Sequence, residues 1–349
     1  MSNPINILAI RRAAVLLTLF VAGASAAETV DGTITVKVDL SARPAEEPIR
    51  LWLPYPTSDK NQDITNISLS GDYATSAVYT DKTFGTPMLY AEWSVGAENR
   101  TLTLTFDAQR AAVVRPDLTN QSVPWTPADH ALFLRPTQKA PLTDDLQQLA
   151  DQITAGKNGV LEKARAIYDW TVDNTYRDPD TRGCGTGDVR ALLQDPGGKC
   201  ADISSIYIAI CRAAGVPARE VLGIRMGEKA VQDITTWQHC WAEFYLPGSG
   251  WITVDPADVR KKMLVENLAL ADPETAAYRE YFFGGVDAYR VKLGLGRDIL
   301  LNPEPAGGPI NYLMYPFAQV GERPLDWLDP ETFTYTITYA RDQRGDTSR

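Results

Sequence analysis

The stretch that most limits the architecture is "GGKCADISSIYIAICRAAGVPAR", residues 197–219. From Cys200 to Ala214 its apolar residues recur at helical spacing, with positions 200, 203, 207, 210, 211 and 214 on one stripe. Gly215 and Pro217 then stop the helix, since glycine suits the left-handed cap and proline cannot continue the turn. Three segments of strand character follow directly, at 218–227, 239–246 and 250–256. A buried helix needs a surface to cover, and a short antiparallel sheet has one face to bury. The expected fold class is therefore α+β, with this helix packed on the sheet that follows it.

The helix begins on a thiol. Free cysteine is often only a small buried hydrophobe. At a helix N-terminus, however, the converging N–H groups favour the thiolate, and Lys199 adds a positive charge nearby. A nucleophilic thiol needs a base, and the chain has just two histidines. His130 lies in the proline-rich segment 111–141 and reads as a structural or surface residue. His239 opens the alternating stretch "HCWAEFYL", and the next strand, "GWITVDP", ends in Asp255 before Pro256. A buried carboxylate there could hold the imidazole's tautomer and orientation.

Strand periodicity decides whether those two side chains can meet. His239, Trp241, Glu243 and Tyr245 share one face, and Trp251, Thr253 and Asp255 share one face of the next strand. The faces coincide if Trp241 opposes Asp255 and Tyr245 opposes Trp251, with "LPGSG" (246–250) as the turn. His239 and Asp255 are then diagonal neighbours, ~7–8 Å apart at the backbone and within side-chain reach. The same alternation turns Cys240 away from His239, which argues against the pair ligating one metal ion. No C-x-x-C or H-x-x-x-H spacing occurs either, so no metal and no cofactor are expected.

"GGKCADISSIYIAICRAAGVPAR" followed by "TTWQHCWAEFYLPGSGWITVDPADV" resembles the core of the bacterial transglutaminase-like proteins, relatives of the papain-type thiol enzymes. The similarity is tight over about 197–259, looser back to about 142, and does not extend to 28–140. It implies Cys200 as nucleophile, His239 as base and then acid, and Asp255 as the residue that orients the imidazole. The Cys200 N–H is one natural oxyanion donor. The resemblance implies an aromatic second donor upstream of the nucleophile, and Trp170 and Tyr176 lie in that region, though core packing is the plainer reading of each.

The remaining chain organises around this core. Segments 33–40, 49–56 and 100–108 alternate like antiparallel strands, and proline and polar residues accumulate between 111 and 141. Segments 142–156 and 159–175 are helical, 177–199 is loop-rich, and 332–340 is a further strand. We expect a leader over 1–26, a β-sandwich-like domain over 27–125, and a transglutaminase-like domain over 126–349 ending in a strand extension. The leader reading rests on Arg11 and Arg12, the apolar run from Ala13, and Ala24-Ser25-Ala26 as cleavage site. It implies an exported protein, periplasmic or secreted. No later segment is apolar enough to span a membrane.

Without the leader, 44 acidic residues face 32 basic ones, a net charge of −12. Nucleic acid is excluded as a partner, because phosphate binding needs a basic face. The expected partner is a protein or peptide substrate, cell-wall peptides among them. Cys200 and Cys211 are about 16 Å apart along the helix, too far to bridge. With Cys200 kept free, Cys184, Cys211 and Cys240 could form one disulfide at most. The leading expectation is acyl transfer on amide or peptide bonds through a Cys thioester. Hydrolysis is favoured over amine cross-linking, which is the alternative. A second alternative is a non-catalytic binding module on the same scaffold. A serine hydrolase lacks its nucleophile elbow here, and no carboxylate pair stands out for glycosidase chemistry.

Overall fold

The computed structural model describes residues 27–115, 117–120 and 123–341; the expected leader lies outside them. Six strands open the chain: β1 (Thr29–Asp39), β2 (Ile49–Pro54), β3 (Gln62–Gly71), β4 (Thr75–Thr80), β5 (Pro87–Trp93) and β6 (Thr101–Ala111). In β1 and β6 the inward positions are Ile34, Val38, Leu102, Leu104 and Phe106, with threonines between them facing out. The two strands pair antiparallel along their length, Ile34 opposite Phe106. After a two-residue strand, β7 (Val113–Val114), the chain becomes helical with α1 (Asp144–Ile153) and α2 (Gly159–Asn174). The Thr143 hydroxyl caps α1 by accepting from the Leu146 N–H.

Short pieces β8 (Tyr176–Arg177), α3 (Val189–Leu192) and β9 (Gly197–Gly198) lead into α4 (Cys200–Ala213). Next come β10 (Ala218–Arg225), β11 (Val231–Asp233), β12 (Gln238–Leu246) and β13 (Gly250–Val254). They form an antiparallel sheet in the order β13-β12-β10-β15, from which β11 departs and to which β15 (Arg290–Leu295) adds an edge. α4 lies on this sheet, and all its residues from Cys200 to Arg212 are buried. Ile206, Tyr207 and Ile210 join Ala242, Phe244 and Leu246 of β12 and Ile167 of α2 in one core. At ~1.5–3 kcal/mol for each large apolar side chain buried, this packing fixes where the helix begins.

The sequence expectation needs three corrections. Strand 250–256 stops at Val254, and two helices follow it, α5 (Pro256–Glu266) and α6 (Pro273–Tyr281). Asp255 is the N-cap of α5: its carboxylate accepts from the Asp258 N–H, and Pro256 takes the first helical position. Second, the division at about residue 125 does not coincide with the sheets. Beyond β14 (Gly285–Val286), the strands β16 (Phe317–Val320), β17 (Arg323–Pro324) and β18 (Thr334–Arg341) return to the N-terminal region. One five-stranded sheet runs β11-β18-β1-β6-β3 and the other β17-β16-β2-β5-β4. Unpaired edges of β1 and β2 are satisfied by strands from far along the chain. The sheets share a core in which Ile34 and Phe106 meet Leu51, Leu89 and Trp93. Third, the expected stripe on α4 understates its burial, for Asp202, Ser204, Ser205 and Arg212 are inside too.

Candidate active site

Two glycine-rich loops converge where α4 begins. Asp202, in the helix's first turn, accepts from the Lys199 N–H at 3.0 Å and the Gly187 N–H at 2.8 Å. Gly185 has φ +88°, and a Cβ there would lie 1.7 Å from an Asp202 oxygen. A Cβ on Gly198 would lie 2.5 Å from the Asp202 Cβ. The glycines of "RGCGTGD" and "GGK" thus let both loops close on one carboxylate. The Ala201 N–H is taken by the Cys184 carbonyl at 2.9 Å. Cys200, one residue earlier, carries an N–H that has no acceptor inside the helix.

The Cys200 side chain is 2 % exposed and lies at the base of a cleft of ≈ 550 Å³. Cys184 and Cys240 donate side-chain hydrogen bonds to its sulfur, and His239 adds a hydrogen bond and its charge. Together these outweigh burial and hold the Cys200 thiol well below the ordinary range for cysteine. The donors move the opposite way: the bond to Cys200 and burial push Cys184 well up, and burial and that bond do the same to Cys240. Cys184 is itself held in place, its Sγ lying 3.3 Å from the Gln238 carbonyl and accepting from the Tyr315 hydroxyl at 3.1 Å. All four cysteines are free thiols.

His239 reaches Asp255 across the β12–β13 hairpin. The ladder places Ala242 opposite Val254, Tyr245 opposite Trp251 and Leu246 opposite Gly250, the register the alternation calls for. His239 Nε2 lies 2.7 Å from Asp255 Oδ2. That carboxylate can only accept, so Nε2 carries a proton and donates to it, leaving Nδ1 for the thiol; the Arg290 nitrogen 3.5 Å from Nε2 donates to Asp255 instead. Burial, then Arg225, would lower the imidazole's pKa; Asp258 and Asp255 outweigh them and hold it above 6.5.

Behind the imidazole stands a charge network that the sequence reading missed. Arg290, fully buried on β15, donates to Asp255, to Asp258 at 2.6 Å and to Asp287 at 2.8 Å. Arg225 donates to both Asp258 oxygens at 2.6 Å. Asp258 overcomes its burial through Arg225 and Arg290, and its pKa falls well below the carboxylate range. His239, Asp255 and Asp258 bring ligand-type atoms within 4.8 Å of one another, yet two guanidinium groups already neutralise those carboxylates. A cation there would have to displace them.

The cleft brings Cys200, His239 and, behind it, Asp255 together, and sorts the other sequence candidates. Trp237 lines the cleft. Trp241 is buried beside His239, the rings 6.0 Å apart. Trp251 lies elsewhere, under the Arg219 guanidinium at 3.9 Å and edge-on to Phe133. Tyr176 is exposed and donates to Asp195 at 2.7 Å, and Trp170 packs against the helical core; neither lines the cleft. His130 packs tilted against Tyr245, the ring centroids 3.8 Å apart. Cys240 is buried, as its alternate face requires, but that face touches Cys200, because α4 covers it. Cys184, left open by the sequence, is the third member of that sulfur cluster.

Comparison with known proteins gives the family and a likeness of fold. A family model described as the transglutaminase-like superfamily matches residues 147–256, which include Cys200, His239 and Asp255. An uncharacterized protein of Haemophilus influenzae is 35% identical over 310 residues, covering 82% of this chain and 84% of that one. A protein-glutamine gamma-glutamyltransferase of Pseudomonas aeruginosa is 36% identical over 87 residues, 24% of this chain and 13% of that one. Among solved structures, a candidate cysteine protease from Cytophaga hutchinsonii superposes with a TM-score of 0.53 at 19% identity. That match covers 89% of this chain and 98% of that one, and it is a likeness of fold.

Proposed function

The chain belongs to the transglutaminase-like superfamily, and from that premise we propose that it is a thiol acyl-transfer enzyme acting on amide or peptide bonds. The observation that carries the reading is the pairing of a low-pKa thiol at a helix N-terminus with an imidazole fixed by a buried carboxylate. In this reading the Cys200 thiolate attacks the amide carbonyl. The oxyanion that forms faces the Cys200 N–H. His239 passes a proton to the leaving amine, which departs and leaves a thioester on Cys200. The neutral imidazole then takes a proton from water, whose oxygen attacks the thioester and frees the acid and the thiol. Asp255 is a positioning residue, and Arg290 and Asp258 hold Asp255 in turn.

Hydrolysis is the favoured outcome over amine cross-linking. Shielding a thioester from water calls for apolar walls. Of the three tryptophans that could supply them, Trp237 alone borders the cleft, whose other walls include Arg177, Lys199, Arg225 and Lys261. Such polar walls admit water. The test offers the purified protein a glutamine-containing peptide and a labelled primary amine. Release of ammonia or peptide fragments that Cys200→Ala abolishes, without amine incorporation, is expected; efficient incorporation would make it a cross-linking enzyme instead. Export belongs to the same proposal, and N-terminal sequencing of the mature protein should begin at Ala27. No helix among the described residues is long and apolar enough to cross a membrane.

A further inference from the structure

The cleft over Cys200 has a charge opposite to that of the chain as a whole. The protein carries an excess of acids, 44 against 34 basic residues. Yet the cleft walls hold Arg177, Lys199, Arg225, Lys261 and Lys262. The carboxylates among them are mostly spoken for: Asp258 by Arg225 and Arg290, and Asp287 by Arg290. Lys262 is paired outward with Glu266 at 3.1 Å. That leaves Arg177, Lys199 and Lys261 without a carboxylate at ion-pair distance among the described residues. Glu228 is exposed at the rim, and its backbone carbonyl accepts from Arg341. Asp178 feels the charge of Lys199 and Arg177, but its oxygens accept from the Asp180 N–H and the Thr181 hydroxyl. Lys261 is half-buried, and burial and then Arg225 press its pKa down against the pull of Asp258, which two guanidinium groups already pair.

Cations left unpaired on both sides of a nucleophile attract an anion and reject another cation. Arg177 and Lys199 approach from the loops before α4, Lys261 from α5. We propose that the cleft selects acidic acyl donors, peptides bearing one or more carboxylates beside the scissile amide, with Arg177, Lys199 and Lys261 as the specificity-determining residues. This rests on the reading of Cys200 as the acyl-accepting thiol. It goes beyond that reading by naming what the thiol is offered. Such a donor would replace the missing counter-charges, and its carboxylates would set the register of the peptide over Cys200. A lysine-like amine would be repelled from the same walls, in keeping with water as the acyl acceptor.

The test compares alkylation of Cys200 by iodoacetate, an anion, with that by neutral iodoacetamide, located by peptide mass mapping. The iodoacetate-to-iodoacetamide rate ratio is normalised to that of a short cysteine peptide. At low ionic strength the normalised ratio should exceed one by ~10-fold and shrink towards unity at ~0.5 M salt, as screening shortens the reach of the charges. Arg177→Gln, Lys199→Gln and Lys261→Gln should each lower it by ~2–4-fold, and the triple variant should bring it near one. Iodoacetamide labelling of each variant reports that the cleft is still folded. A ratio at or below one in the native protein, with Cys200 labelled, overturns the acidic-donor proposal and leaves the nucleophile reading standing. Failure of neutral iodoacetamide to label Cys200 before the other cysteines overturns both.

Discussion

The two ends of α4 each carry a cysteine, and the two thiols are chemical opposites. Cys200 begins the helix at the base of a cleft, with two S–H donors and an imidazole around it and its pKa pressed far down. Cys211 lies near the other end, fully buried in the core that includes Tyr168, Tyr207 and Phe244, where burial pushes its thiol up to about 12. Both are among the least exposed side chains in the molecule, so burial does not distinguish them. What differs is the supply of hydrogen-bond donors and positive charge. At the N-terminus the helix, the neighbouring thiols and His239 together outweigh burial and favour the anion; near the C-terminus burial outweighs the one Tyr207 hydrogen bond and the Arg212 charge, and the helix's own polarity opposes the anion.

The largest effect should come from removing the first of these thiols. Cys200→Ala is expected to cut amide turnover by at least ~10³-fold, since every later step depends on the thioester. Thermal melting should show the fold retained. Next in size is Asp255→Asn, for which a loss of ~10²–10⁴-fold in kcat is expected because the amide no longer fixes the imidazole's tautomer. Stability should fall as well, as Arg290 loses one of its three carboxylate partners. A kcat equal to the parent's would mean that Asp255 serves only as the cap of α5.

That ranking also marks how far the site was readable. Cys200 announced itself through local signals: glycines, a lysine, then apolar helical spacing. His239 and Asp255 became a pair because strand alternation and a short turn leave one register in which they share a face. Arg290 could not be found that way. It lies 35 residues beyond Asp255, on a strand that pairs with β10 through a bulge at Leu222–Gly223, so no sequence spacing reports its direction. The α5 cap was legible in principle, since Asp-Pro before a helix is a standard start, but the strand pattern running into it hid the boundary. The return of β16–β18 to the N-terminal sheets was not, because strand partners some 300 residues apart are chosen by packing rather than by local pattern.

The third prediction separates thiolate from imidazolium by pH. Folding lowers the Cys200 pKa and raises that of His239, so the charged pair exists between the two folded values. Alkylation of Cys200 should fall only on the acid side, as the thiolate takes a proton. Amide turnover should fall on both sides, the alkaline limb marking loss of the proton that the leaving amine needs. Stability follows the same signs. The His239 contribution is fully present below about 6.5, its unfolded value, and is lost as pH rises through the raised folded one. An alkylation profile that climbs only near pH 9 would mean that Cys200 titrates as an ordinary thiol.

The smallest effect belongs to the far end of the helix. Cys211→Ala should leave kcat and KM as they are and cost ~1–2 kcal/mol in denaturant unfolding, the amount expected for one small buried side-chain atom and the space it leaves. A marked loss of activity would mean that the two ends of α4 are coupled, and that the contrast between them is less local than their surroundings indicate.

The pairing of β18 with both β1 and β11 has a consequence in time. The segment that leads to His239 hangs from β18: the Ile234 N–H donates to the Ile337 carbonyl at 2.8 Å, and the Ile337 N–H donates to the Thr235 hydroxyl at 2.8 Å. Residues 231–237 therefore acquire their final anchor only after about a hundred further residues have been added. A chain growing from its N-terminus can fold α4 and present Cys200 well before the opposite wall is tethered. Long-range strand closure is also the slow part of folding. The nascent protein thus carries Cys200 in an unfinished cleft, which the last strand completes.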